Sequence, residues 1–214
     1  MIKRSESRWP PALAVLVSTI LYVLLPAHLT LGPRWLMPLL VGALLIPLLA
    51  VGPFHTARDV SRGLRWLGIT VIAIVNAANI ASLALLVRAL LTGVPKQSGL
   101  ELLYSAAAIW FTNILVFALW FWEFDRGGPQ VRLNASRRKA DFMFPQMYVQ
   151  ECAPMGWVPV FADYLYLGFT NATAFSPTDT MPLTTWAKAL MTIQAVISLL
   201  TIILVAARAV NILS

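Results

Sequence analysis

Charge is scarce in this chain. Asp, Glu, Lys and Arg supply 12% of its residues, about half the share of a soluble globular protein. A chain so built cannot clothe a water-facing surface, and the stripes expected of soluble helices, one polar and one apolar face, are missing. Cysteine is nearly absent: Cys152 stands alone. That excludes an intrachain disulfide and any multi-cysteine zinc site. The two histidines, His28 and His55, have no second ligand at helical spacing, so no metal site is expected. No serine or cysteine has a local base, and no glycine loop is shaped to cradle phosphate. The chain reads as a protein that is not an enzyme and carries no cofactor.

Hydrophobic residues are what it has, at 59%. Crossing the hydrocarbon of a bilayer takes roughly 20 apolar residues per helix, and several segments reach that length. They run from about Pro11 to Leu31, Trp35 to Phe54, Trp66 to Leu91, Leu100 to Phe124 and Leu183 to Leu213, with a shorter piece from Trp157 to Phe175. The fold class is all-α: a polytopic transmembrane helical bundle of five long helices plus a short sixth segment. That segment either spans fully or re-enters like a pore helix. Residues 1–124 form a four-helix transmembrane region, 125–156 a polar loop, and 157–214 a hairpin of short segment, turn and long last helix. Lys3, Arg4 and Arg8 precede the first apolar run, which is read as a retained helix rather than a cleaved leader. Trp9, Trp35, Trp66, Trp120, Trp122, Trp157 and Trp186 fall near segment ends, as an interfacial aromatic belt requires.

Net charge is +7, and its placement is topological. If the first four segments each cross, one side holds Lys3, Arg4, Arg8, Arg58, Arg62, Arg65, Arg126, Arg132, Arg137, Arg138 and Lys139. The other holds Arg34, Arg88 and Lys96. By the positive-inside rule the N-terminus and the 125–156 loop are cytoplasmic, in what is read as a bacterial inner membrane. Nucleic-acid binding would need basic residues interleaved with aromatics on a soluble face. The one tight basic run, Arg137-Arg138-Lys139, is too short for that, and the expected partner is the lipid bilayer.

The polar residues inside apolar segments are the candidate functional set. Asn76, Asn79 and Asn113 must face other helices, because an unpaired amide in hydrocarbon costs several kcal/mol. They serve either as glue between helices or as a polar path. Phe111-Thr112-Asn113 is echoed by Phe169-Thr170-Asn171, a similarity read as chance. Asp163 is the one acid well inside an apolar stretch. It is either an intramembrane functional acid or a first-turn residue suited to a helix N-terminus. On the last segment Gln194, Ser198, Thr201, Val205 and Arg208 share one face. That seam lines water or bonds another helix.

From Tyr164 to Arg208 the chain resembles the pore module of bacterial two-helix potassium channels. Tyr166 and Phe169 stand where that family has pore-helix aromatics, and Thr173 where it has the first filter threonine. Asp179 matches the acid after the filter, and Pro182 the proline that follows. Ala187-Lys188 matches a small-and-basic pair, and Gln194-Ala195-Val196-Ile197 the start of the inner helix. The overall layout is also similar to bacterial polytopic membrane proteins that end in such a hairpin. The resemblance implies a homo-oligomer that passes monovalent ions. Thr173, Ser176, Pro177, Thr178 and Asp179 would form its filter or mouth, and Gln194, Ser198 and Thr201 would line its path. Ser176-Pro177-Thr178 replaces the family's Gly-Tyr-Gly, however. Glycine supplies backbone angles that other residues resist, and Pro177 restricts both itself and Ser176. The resemblance thus implies a pore-loop-like channel of poor or non-potassium selectivity. The alternatives are a non-conducting protein using the hairpin to pack or to bind a partner, and a small proton- or cation-coupled transporter working through Asp163.

Overall fold

A computed structural model describes residues 8–51, 62–93, 98–132, 139–149, 151, 156–175 and 179–213. The elements are α1 (Trp9–Leu24), α2 (Leu36–Val51), α3 (Arg62–Thr92), α4 (Gly99–Phe124), a single turn α5 (Pro129–Arg132), β1 (Phe142–Met143), α6 (Phe161–Ala174), β2 (Met181–Pro182) and α7 (Thr185–Leu213). The fold is an all-α helical bundle.

Proline sets the first boundary. Pro10 and Pro11 lie in the first turn of α1, where an amide N–H would have no helical partner. Leu25, ahead of Pro26, is already extended, as pre-proline sterics favour. The first segment therefore ends short of the expected Leu31. Beyond it Ala27–Leu29 makes a 3₁₀ turn, and Leu31 N–H donates to Tyr22 Oη at 2.8 Å. With 16 residues each, α1 and α2 extend only about 24 Å. Among the described residues three helices are apolar and long enough to cross a membrane: Gly63–Thr92, Gly99–Gly127 and Thr185–Ala206.

The hub is α4, which touches α1, α3, α6 and α7. Its consecutive residues Val116, Phe117, Ala118 and Leu119, and then Phe121, are sealed from the surface. A helix apolar all round belongs at the centre of a bundle. Ser98 caps its start, accepting from Glu101 N–H at 3.1 Å.

Helix directions follow from cross-helix pairs. Arg65, early in α3, bonds Glu123, late in α4, so these two are antiparallel. Along α6, Tyr164 meets Asp125, Gly168 abuts Ile114 and Ala118, and Phe169 meets Trp110. Thus α6 also runs against α4. Along α7, Trp186 meets Phe124 and Ser198 meets Asn113, so α7 does the same. It follows that α6 and α7 are parallel. Between them the chain has to come back to the end from which α6 set out, and it does. β2 pairs antiparallel with β1, Phe142 opposite Pro182 and Met143 opposite Met181. Thr184 Oγ1 donates to Asp141 Oδ1 at 2.9 Å. The short sixth segment is therefore a re-entrant helix. Its 14 residues reach about 21 Å, short of the roughly 30 Å hydrocarbon.

The tryptophans divide. Trp9, Trp35, Trp66 and Trp186 are exposed, as belt residues should be, whereas Trp122 is 7% exposed and packs edge-on against Phe161. A position two residues from a helix end did not make Trp122 interfacial, because residues 125–132 and 139–149 pack over that end. Within the segment Phe142 and Phe144 are buried, so it carries core of its own.

Candidate functional site

The polar seam of α7 is closed inside the chain. Gln194, Ser198 and Thr201 are all buried. Gln194 Nε2 donates to Gly168 O at 2.8 Å, and its Oε1 accepts from Asn171 Nδ2 at 2.8 Å. Asn171 Nδ2 also reaches Met191 O at 2.9 Å. From the other side Asn113 Nδ2 donates to Ser198 Oγ at 2.9 Å and to Gln194 O at 3.2 Å. Thr201 Oγ1 bonds back to Ile197 O. Of Arg208 only the helical backbone is described. One network thus ties α4, α6 and α7 at mid-height. Thr185, Lys188 and Thr192 are exposed in the first turns of α7, and beyond them the outward residues are apolar: Ile193, Val196, Leu199, Leu200 and Ile203 are exposed.

Gly168 makes this closeness available. A Cβ there would lie 3.0 Å from Ile114 O and 3.4 Å from Ala118. Small residues let membrane helices approach to backbone contact. Gly168→Ala should push α6 off α4 and destabilise the fold by about 1–3 kcal/mol, the usual cost of overpacking. Unfolding of the detergent-solubilised protein by titrated SDS, followed by circular dichroism, measures it.

The mouth residues are placed in part. Thr173 is exposed, and its hydroxyl bonds back to Phe169 O and Thr170 O. Asp179 is half-buried, with Thr180 Oγ1 at 3.4 Å from its Oδ1. Ser176, Pro177 and Thr178 lie outside the described residues. Asp163 sits in the first turn of α6, where its Oδ2 accepts from Val160 N–H at 2.8 Å. That is the arrangement a helix N-terminus favours for an acid.

Asn76 and Asn79 lie on α3 with Ser82, three residues apart and so along one side. Asn76 Oδ1, Asn79 Nδ2 and Ser82 Oγ are buried without a protein partner among the described residues. Among the described residues no hydrogen bond joins them to the α7 seam.

A second polar cluster, not anticipated from the sequence, locks the loop after α4. Asp125 is fully buried. Its Oδ2 accepts from Tyr164 Oη at 2.5 Å, and its Oδ1 from Asp141 N–H at 2.9 Å. Arg126 Nε lies at 3.7 Å and Arg132 Nη1 at 4.0 Å. Arg132, also buried, donates to Trp122 O at 3.0 Å and lies over the Tyr164 ring at 4.9 Å. Asp141 repeats the pattern, accepting from Arg126 N–H and Thr184 Oγ1. The turn depends on left-handed backbone at Arg126, Gly127 and Gly128. At Gly128 a side chain would meet Glu123 O at 3.0 Å. The cluster joins the end of α4 to the starts of α6 and α7, and so holds the re-entrant helix and the last helix at one end of the bundle.

The fold and these clusters define an integral membrane protein. The chain matches no protein-family model, no curated protein and no solved structure.

Proposed function

We propose that this is a non-conducting membrane protein in which the 157–214 hairpin acts as a packing module and residues 125–132 and 139–149 as a platform at the basic, cytoplasmic end. One observation carries the reading: Gln194 and Ser198 spend their hydrogen-bonding groups on Asn113, Asn171 and Gly168 inside a single chain. A helix lining an aqueous path presents polar groups to it along its length, whereas past Thr192 the exposed described residues of α7 are apolar. The arithmetic agrees. Side-chain bonds between membrane helices average roughly 0.6 kcal/mol, so the closed network contributes on the order of 2 kcal/mol, a useful share of a marginal stability. Protein reconstituted into liposomes should show no more potassium, sodium or proton flux than protein-free vesicles. Sustained flux above that baseline, scaling with protein, overturns the proposal.

The re-entrant course of α6 favours a second reading. Helix in, return to the same end and last helix is also the course of a pore module. In a homo-oligomer, Thr173, Ser176, Pro177, Thr178 and Asp179 would then ring a mouth for monovalent ions of poor or non-potassium selectivity. The two readings part at Asp179: a pore loses or changes ion selectivity in Asp179→Asn, and a packing module does not notice it.

A further inference from the structure

Away from the hairpin, a cavity of about 120 Å³ opens between α1, α2, α3, α4 and the turn before α5. Its walls are apolar, with Val15, Leu45, Val71, Ile72 and Leu119 among them, and its polar members are Arg8, Arg65 and Glu123. All three belong to the end of the bundle where α1 and α3 begin and α4 finishes. Arg65 Nε is held by Glu123 Oε1 at 3.0 Å. Arg8 is half-buried, and its guanidinium has no hydrogen bond or ion pair among the described residues. Glu123 faces both Arg8 and Arg65, so the mouth sets two cations against one acid above an apolar cleft.

The cleft is kept open by a residue that packing does not require to be small. Gly68, in the middle of an α3 turn on the cavity wall, would place a Cβ in open space, with nothing within 4 Å. Glycine inside a helix is unfavourable by roughly 0.5–1 kcal/mol relative to alanine. Here that cost purchases no close helix contact, unlike at Gly168; what it leaves is volume.

We infer that this cavity binds an anionic phospholipid, with the glycerol-proximal part of one acyl chain between α1 and α3 and the headgroup phosphate at Arg8. Basic pockets between transmembrane helices at a positively charged end suit such headgroups, and the apolar walls suit a chain but not a free, fully hydrated anion. Arg is the appropriate residue for the contact, because its planar donors match phosphate oxygens in pairs. The inference does not depend on whether the hairpin conducts.

The test is thermal unfolding of the full chain in detergent, with phosphatidylglycerol, phosphatidylcholine or glycerol phosphate added at matched concentrations. Phosphatidylglycerol should raise the unfolding temperature in a saturable way, phosphatidylcholine much less, and glycerol phosphate not at all. Arg8→Gln should weaken the apparent phosphatidylglycerol affinity about fivefold, as the loss of one surface-proximal charge contact implies. Gly68→Leu should abolish the shift by filling the cleft, and its own unfolding temperature should not fall, since the added side chain enters open space. Equal shifts from the two phospholipids, or a phosphatidylglycerol response unchanged in both variants, overturns the site. A shift from glycerol phosphate alone would mean a free-anion site instead.

Discussion

Replacing Asp125 with alanine is expected to destabilise the protein by about 3–5 kcal/mol, the cost of leaving a buried partner charge uncompensated. Asp125 is sealed, and so is Arg132 beside it. The carboxylate also accepts from Tyr164 Oη and Asp141 N–H, and both donors would lose their acceptor. Marginal folds carry only about 5–15 kcal/mol in total, so the variant should accumulate poorly and unfold at markedly lower SDS in micelles. The charge and the hydrogen bonds can be separated. Asp125→Asn removes the charge but keeps one acceptor oxygen, enough for Tyr164 Oη or Asp141 N–H and not for both, so it should fall between wild type and alanine. Adding Arg132→Gln to Asp125→Asn removes the orphaned cation and should recover part of the loss. If that double variant is no better than the single one, the cluster is held by its hydrogen bonds and not by its charges. Since it fixes the starts of α6 and α7 against the end of α4, Asp125→Ala should also raise proteolysis within 139–149 before the bundle itself gives way.

The second large effect is expected from Gln194→Leu combined with Ser198→Leu. Asn171 would lose its side-chain partner and Asn113 its hydroxyl acceptor. At Ser198 a leucine would also enter a site with no exposed surface. Lost hydrogen bonds between membrane helices account for about 1–2 kcal/mol and overpacking for about 1–3 kcal/mol. The sum, on the order of 2–5 kcal/mol, should appear as reduced unfolding midpoints and weaker association of α6 with the rest, seen as faster labelling of a cysteine placed at the buried Ala172. For a path-lining seam the same change would leave the fold intact and act on permeation alone. Normal stability in the double variant would therefore count against the packing role of the hairpin.

Some of this was legible in the residues. Apolar run lengths marked α3, α4 and α7 to within four residues at each end, because in hydrocarbon a continuous helix is the one local structure that satisfies the backbone. The shared face of Gln194, Ser198 and Thr201 was visible from spacing, but not which neighbour that face meets. Periodicity gives a direction around the axis and nothing about what lies there. The echo of Phe-Thr-Asn at 111–113 and 169–171 looked accidental. In the fold both asparagines converge on Gln194 from opposite sides. α1 was read too long, since the run of apolar residues continues past Pro26 although the helix cannot. The locked loop was the least legible part. Asp125, Arg126 and Arg132 looked like ordinary charges after a helix end, and only chain folding after 125 brings Asp141, Tyr164 and Thr184 to them. Long-range pairing of that kind leaves no periodic trace.

The shortness of α6 has a consequence for how the chain is made. Arg8 and Leu213 lie at opposite ends of the bundle, because α6 turns back and α7 alone carries the chain across after α4. The insertion machinery must accept an apolar helix and then release it on the side from which it came. A helix of about 21 Å cannot bridge the bilayer even when fully embedded, so its length acts as a sorting signal: it can sink but not cross. Lengthening α6 by even two turns would remove the distinction between sinking and crossing, and with it the parity that puts the two ends of the bundle in different compartments.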